Sequence, residues 1–274
     1  MRKVLVTGAK GMLGQDLCPV LEDSGYEVIE TDVDNFDITS PNMVSNLLMK
    51  EKPEILIHCA AYTNVDKAED EPDAARKINS LGTKNLAQAC AKLGITLVYI
   101  STDYVFNGEK TEKYLPDDEP NPINVYGQTK LEGENYIKEI CKKYYILRTA
   151  WLYGIHGKNF VETMISMADK PELKVVNDQI GCPTWTMELA QGIVEIIEDE
   201  FPFGIYHVCG SGSCSWFEFA QEIFKLTGET VNLIPCTTDE FPRKAKRPFH
   251  SVMENQNLCR NWKLALKDYI KLRN

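Results

Sequence analysis

Eight residues near the start of the chain, Thr7-Gly8-Ala9-Lys10-Gly11-Met12-Leu13-Gly14, constrain the fold more than any other segment. They follow Val4-Leu5-Val6, a consecutive apolar run of the kind a strand covered on both faces requires. They also open a segment, 11–23, with helical character that Ser24-Gly25 stops. Between a strand and a helix, GxxGxxG reads as a dinucleotide-binding turn. Gly8 permits the tight turn, Gly11 lets backbone approach a pyrophosphate, and Gly14 lets the helix pack closely on the strand. The phosphates then lie against the positive end of the helix and its free N–H groups. Glycines alone also suit an ordinary tight turn, so the remaining residues must decide.

The pattern after the loop repeats the same unit. Strands are expected over 27–31, 54–59, 95–101 and 144–149, and helices over 41–50, 73–93 and 124–142. Ser40-Pro41 supplies an N-cap with proline at the first helical position. Strand–helix–strand order implies parallel strands with right-handed crossovers. The expected fold is α/β, a Rossmann-type doubly wound parallel sheet over 1–150, with its ligand site beyond the C-terminal strand ends. From 151 to 274 the pattern loosens into a smaller C-terminal α/β substrate lobe, from which some segments could return to the first domain. Short strands are expected there over 174–177 and 205–208, and helices over 186–198, 215–226 and 264–272.

Composition excludes several classes of protein. Thirty Lys and Arg against 40 Asp and Glu give a net charge of −10, which argues against a nucleic-acid partner. No stretch of about 18 apolar residues is present, so no membrane span is expected. The N-terminal apolar run is too short for a signal peptide, which points to the cytoplasm. Nine cysteines without CxxC pairs read as reduced thiols, and His58, His156, His207 and His250 lack metal-ligand spacing. No protein metal site is expected.

Asp32 ends the second strand, 18 residues after Gly14, where an acid can accept hydrogen bonds from adenosine ribose hydroxyls. Glu30 and Asp34 flank it and no arginine follows at once, so a 2′-phosphate would meet negative charge and NADH is favoured over NADPH. Asp37-Ile38, at the next turn, are placed to flank an adenine. At the end of the fourth strand, Ser101-Thr102-Asp103 offers a hydroxyl donor for a substrate carbonyl. Tyr126-Gly127-Gln128-Thr129-Lys130 is YxxxK, whose first and last residues share one helix face. A neighbouring ammonium is expected to lower the phenol's pKa from its ordinary value near about 10 and fit it for proton transfer. Each signal has a bland counterpart when taken alone; their order along one chain is what makes them specific.

At these residues the chain resembles the extended short-chain dehydrogenase/reductase superfamily and, within it, the dTDP-4-dehydrorhamnose reductases. Further carriers are His58-Cys59-Ala60-Ala61-Tyr62-Thr63-Asn64-Val65-Asp66-Lys67-Ala68-Glu69, Ser101 to Phe106, Asn124 to Lys130, Leu147 to Trp151, Asn177 to Thr184 and Arg247-Pro248. The resemblance implies dinucleotide contacts from Gly11, Met12, Leu13, Asp32, Asp37, Ile38, Ala60, Ala61, Tyr62 and Thr63. It implies Thr102, Tyr126 and Lys130 as catalytic triad, with Lys130 also on the nicotinamide ribose and Thr102, Asp103 and Trp151 near a nucleotide-linked sugar. The implied reaction is hydride transfer from NADH or NADPH to a sugar C4 ketone, with Tyr126 protonating the oxygen. Trp151 suits core packing as well as a pocket. Arg247, with Lys244 and Lys246 beside it, is a candidate for the substrate's pyrophosphate or a solvated basic loop. Some relatives pair as homodimers through a magnesium site built from glutamates; the resemblance leaves room for a homodimer with magnesium at its interface here, its ligands unassigned.

Two other readings stand beside the reductase. One is an epimerase or dehydratase on the same scaffold; dehydration would call for an acid after Thr102-Asp103, where this chain has Tyr104. The other is a non-catalytic dinucleotide-binding subunit, against which Thr102, Tyr126 and Lys130 speak.

Overall fold

The computed structural model describes residues 2–273. Its first half runs β1 (Lys3–Thr7), α1 (Met12–Asp23), β2 (Glu27–Thr31), α2 (Pro41–Glu51), β3 (Ile55–His58), α3 (Val65–Asp70), α4 (Pro72–Arg76), α5 (Thr83–Leu93), β4 (Thr96–Thr102), α6 (Val125–Ile140) and β5 (Tyr144–Thr149). Then come β6 (Leu152–Tyr153), α7 (Phe160–Ile165), β7 (Leu173–Val176), β8 (Ile180–Gly181), β9 (Thr184–Trp185), α8 (Thr186–Glu198), β10 (Gly204–His207), β11 (Cys214–Ser215), α9 (Trp216–Thr227), β12 (Leu233–Cys236) and α10 (Trp262–Arg273).

Six strands form one sheet in the order β10-β5-β4-β3-β1-β2, every neighbouring pair parallel. The consecutive apolar runs are buried on both faces, as a parallel sheet demands. Val4, Val6, Ile57 and Val98 face Leu13 and Leu17 of α1 and Leu189 and Ile193 of α8. Leu5, Leu56 and Leu97 face Val44 of α2, Leu86 of α5 and Ile137 of α6. The chain steps outward from β1 to β2 and returns to β3 on the other side, so a crevice opens beyond β1 and β3.

The short strand expected over 205–208 belongs to the main sheet. Gly204–His207 is the sixth strand of the main sheet, paired with β5 from Gly204↔Tyr145 to His207↔Arg148. With α8 packed on α1, the chain returns to the first half for this stretch. A short strand carries no mark of which sheet it will join.

The single helix expected over 73–93 is corrected. A π-helical turn, Lys77–Gly82, separates α4 from α5. It buries Asn79, whose side chain bonds the backbone of Tyr62, and it lays Gly82 against Ile38, where a Cβ would come within 2.8 Å of Ile38 Cδ1. Tertiary contacts have overridden a regular helical period here, as π-bulges at functional sites often do.

The remaining lobe consists of two-stranded pairs β6·β9, β7·β12 and β8·β11, with α7, α9 and α10 around a core of Tyr153, Val161, Phe219, Trp262, Leu266 and Tyr269. Among the described residues no helix is long and apolar enough to cross a membrane.

Candidate active site

The glycine loop is shaped by close backbone approach. Gly8 has φ +70°, and a Cβ there would lie 2.7 Å from the Ala60 nitrogen at the end of β3. A Cβ on Gly14 would lie 2.6 Å from Ala9 Cα. Gly11 caps α1 without a side-chain acceptor, leaving first-turn N–H groups for a ligand. These residues fit a dinucleotide's pyrophosphate, since a side chain at Gly8 or Gly14 would collide with backbone and force the tight turn open. Leu13 is buried in the core, and Met12 lies against Gly154, where a Cβ would meet Met12 Cγ at 3.2 Å.

Asp32 stands where the spacing placed it, and it grips the loop. Its carboxylate accepts Lys10 N–H at 2.8 Å and Val33 N–H at 2.7 Å. Lys10 Nζ then pairs with Asp34 at 2.5 Å. The acidic corner in which a 2′-phosphate was expected to meet negative charge thus also holds the loop's own lysine. Asp37 Oδ1 accepts both the amide and the hydroxyl of Thr39, and Ile38 is buried.

Ala60 to Thr63 leave β3 along the crevice. Asn79 Oδ1 accepts Tyr62 N–H at 2.8 Å, while Asn79 Nδ2 donates to the Tyr62 carbonyl and the Thr129 hydroxyl, each at 3.1 Å. Asn79 thus ties the loop after β3 to α6, one residue before Lys130. The sequence reading missed it because it lies inside a helical pattern, and only its polarity among apolar neighbours marked it.

Asn124 caps α6, its side chain accepting Gly127 N–H at 2.8 Å, and this sets Tyr126 and Lys130 one turn apart at the end of β4. Thr102 Oγ1 accepts Tyr104 N–H at 3.2 Å and donates to Asp103 Oδ1 at 3.1 Å. The Ser251 hydroxyl donates to Asp103 Oδ2 at 2.6 Å, and burial pushes that carboxyl up to about 6. Tyr126 meets Tyr104 edge-on, ring centres 5.9 Å apart.

The expected lysine-acidified phenol is not what the structure holds. Burial pushes Tyr126 up to about 12, with a hydrogen bond to Thr102 acting downward and Asp103 upward. Lys130 Nζ donates to the Ile100 carbonyl at 2.6 Å and sits 4.0 Å over the Tyr99 ring, and burial pushes it down to about 7. Desolvation outweighs the charge effect in which the lysine was to lower the phenol.

Trp151 adopts φ +48° and stacks on Trp216 with centroids 3.5 Å apart and planes within 4°. Gly181 makes room for it, since a Cβ there would lie 2.6 Å from Trp151 Nε1. Arg247 pairs with Asp66 at 3.1 Å and lies 5.9 Å over the Tyr104 ring, while Lys244 pairs with Asp70. The Lys246 carbonyl accepts Asn124 Nδ2 at 2.9 Å, so this segment is fastened to the start of α6. The structure therefore gathers Thr102, Asp103, Tyr126 and, through Tyr104, Arg247, with Lys130 one turn behind. Among the described residues no three His, Cys, Asp or Glu side chains converge as a metal site.

The RmlD substrate binding domain family matches residues 1–272. The spore coat polysaccharide biosynthesis protein SpsK of Bacillus subtilis is 42% identical over 100% of this chain and 98% of its own. A crystal structure of a dTDP-4-dehydrorhamnose reductase from Clostridium acetobutylicum shares 50% identity and a TM-score of 0.96, covering 98% of this chain and 99% of that one. Another from Bacillus anthracis, in complex with NADP, shares 42% identity and a TM-score of 0.96, covering 99% and 100%. The chain belongs to the dTDP-4-dehydrorhamnose reductase family.

Proposed function

We propose that this chain reduces the C4 ketone of dTDP-4-dehydro-L-rhamnose to the hydroxyl of dTDP-L-rhamnose, using NADH or NADPH, in the cytoplasm. The observation that carries the reading is the meeting of Thr102, Tyr126 and Lys130 at the end of β4, on the sheet edge that also bears the glycine cradle. A bound reduced nicotinamide supplies the hydride. Gly8, Gly11, Met12, Leu13 and Gly14 hold its pyrophosphate side, Asp32 its adenosine ribose, and Ala60, Ala61, Tyr62 and Thr63 line the path toward the reacting end. Asp37 and Ile38 flank the adenine.

Tyr126 keeps its proton at neutral pH because the phenol lies near about 12. It is therefore in the form needed to donate to an oxygen gaining negative charge. Thr102 contributes a second donor to that oxygen. Its hydroxyl now points to Asp103, so it must turn from the carboxylate to the substrate. Lys130 bears on the nicotinamide ribose. Trp151 offers the sugar a flat apolar face, and Arg247 takes the diphosphate by exchanging Asp66 for phosphate oxygens. Position 104, where a dehydratase would carry a carboxylic acid, holds a tyrosine, which favours a reductase over a dehydratase.

The test is incubation of the protein with dTDP-4-dehydro-L-rhamnose and each reduced cofactor, following absorbance and identifying the sugar. One reduced cofactor should be oxidised for each dTDP-L-rhamnose formed. Sugar conversion without net cofactor consumption would instead assign an epimerase or dehydratase.

Cofactor choice turns on Asp32 and Lys10. Asp32→Ala should weaken NADH binding roughly tenfold or more, the scale of a hydrogen bond to a charged group. NADPH should lose less, because repulsion of its 2′-phosphate disappears as well. Lys10→Ala should weaken NADPH more than NADH. Fluorescence titration of both variants measures this, and equal losses for the two cofactors would remove the preference.

A further inference from the structure

Behind the Tyr126–Lys130 turn lies an ion pair that the reaction above does not use. Glu134 and Arg148 are 0% and 1% exposed, with Arg148 Nη2 and Nε donating to the carboxylate at 2.7 and 3.0 Å. The Ser101 hydroxyl donates to the same carboxylate at 2.5 Å, and Arg148 Nη1 donates to the Pro116 carbonyl at 3.1 Å. Burying two charges is costly, and apolar residues of similar volume are often as stable in their place. The position of this pair supplies a reason for it. Glu134 follows Lys130 by one helical turn. Its partner Ser101 sits on β4 between Ile100, whose carbonyl accepts from Lys130 Nζ, and Thr102.

We propose that Glu134 is a positioning residue for the reaction, its buried carboxylate keeping Lys130 an ammonium and fixing the end of β4 that carries Thr102. The proposal rests on the reductase reading above.

The groups around Lys130 make Glu134 its natural counter-charge. From β3, His58 is pushed down to about 3 by burial and by Lys130 itself, so it is neutral. Cys59, next along, is pushed up by burial and stays a thiol. From β4, Tyr99 lies beneath Lys130 with its phenol raised far above the ordinary range. On α6, Tyr126 is a neutral phenol and Glu134 is the carboxylate; on β5, Arg148 stands on the far side of Glu134. Of these groups only Glu134 is a carboxylic side chain, and it is held by Arg148. It acts against the burial that depresses Lys130, whose ammonium is present below about 7 and lost above it. Removing the carboxylate's charge must depress Lys130 further and leave it an amine at neutral pH.

The test follows the Lys130 titration in the ligand-free protein by NMR of ε-13C-lysine, the signal being identified by its loss in Lys130→Met. Glu134→Gln should move the midpoint down by about one unit or more, as loss of an opposite charge does. The alkaline limb of kcat/KM for the keto sugar, at saturating NADH, should move the same way. Glu134→Gln strands Arg148 and can impair folding, so Glu134→Gln/Arg148→Met carries the test as well. That double variant should recover stability yet keep the lowered midpoint. An unmoved midpoint in Glu134→Gln, or a wild-type midpoint in the double variant, would reduce the carboxylate to Arg148's counter-ion and overturn the proposal. A shifted titration in a protein that does not reduce the sugar would overturn the reductase reading instead.

Discussion

Tyr126→Phe is expected to lower kcat by about 10² to 10⁴, the usual share of general acid catalysis, while dinucleotide affinity and thermal stability stay near wild type. The substitution removes one oxygen. The ring that meets Tyr104 edge-on at 5.9 Å remains, and so does the helix set by the Asn124 cap. With the phenol gone, Thr102 remains a donor, but its hydroxyl is shared with Asp103. It can stabilise charge on the ketone oxygen without having a proton to give up. The loss should therefore fall on kcat rather than on KM. Steady-state rates with the keto sugar, together with a melting curve, measure both. Full turnover in a folded Tyr126→Phe protein would show that the proton comes from elsewhere.

That expectation is legible in the sequence, but the electrostatics behind it are not. Spacing alone puts residues 126 and 130 on one helix face and Asp32 at a strand end. Parallel-sheet burial explains why Val4-Leu5-Val6 and Ile55-Leu56-Ile57 read so clearly, since each residue alternates between two apolar layers. Burial of the pocket could not be read from spacing. Burial raises the phenol where the spacing had it lowered, and the same burial lowers Lys130. Lys10 escaped notice for a related reason: it reaches Asp34 only because the loop folds back on the end of β2. Asn79 and the π-helical turn depend on contacts with Tyr62 and Thr129, which lie 17 and 50 residues away in sequence. Gly204–His207 joined the main sheet through β5, a partner that no local pattern could name.

Gly127→Ala is the second large effect, and local propensity gives the wrong sign for it. Alanine in a helix interior is favoured over glycine by about 1 kcal/mol, so an isolated α6 would gain from the change. The fold removes that gain. A Cβ on Gly127 would overlap the Tyr104 carbonyl oxygen and lie 2.9 Å from its carbonyl carbon, with Pro122 Cβ at 3.1 Å. Those neighbours are largely backbone and a ring, so no flexible side-chain end can swing aside. Either α6 or the turn after Thr102 must withdraw, and these two pieces carry Tyr126 and Thr102. Overpacking of this kind costs about 1–3 kcal/mol of stability. A displacement near 1 Å between catalytic groups can cost roughly 100-fold in rate. The variant should therefore fold with a lowered melting point and lose turnover far beyond what its stability loss explains. Gln128→Ala, at the exposed next position of the same helix, should change neither quantity appreciably and serves as the control. Should Gly127→Ala melt at or above the wild-type temperature and keep its kcat, α6 and the Thr102 turn do not approach as closely as catalysis here requires.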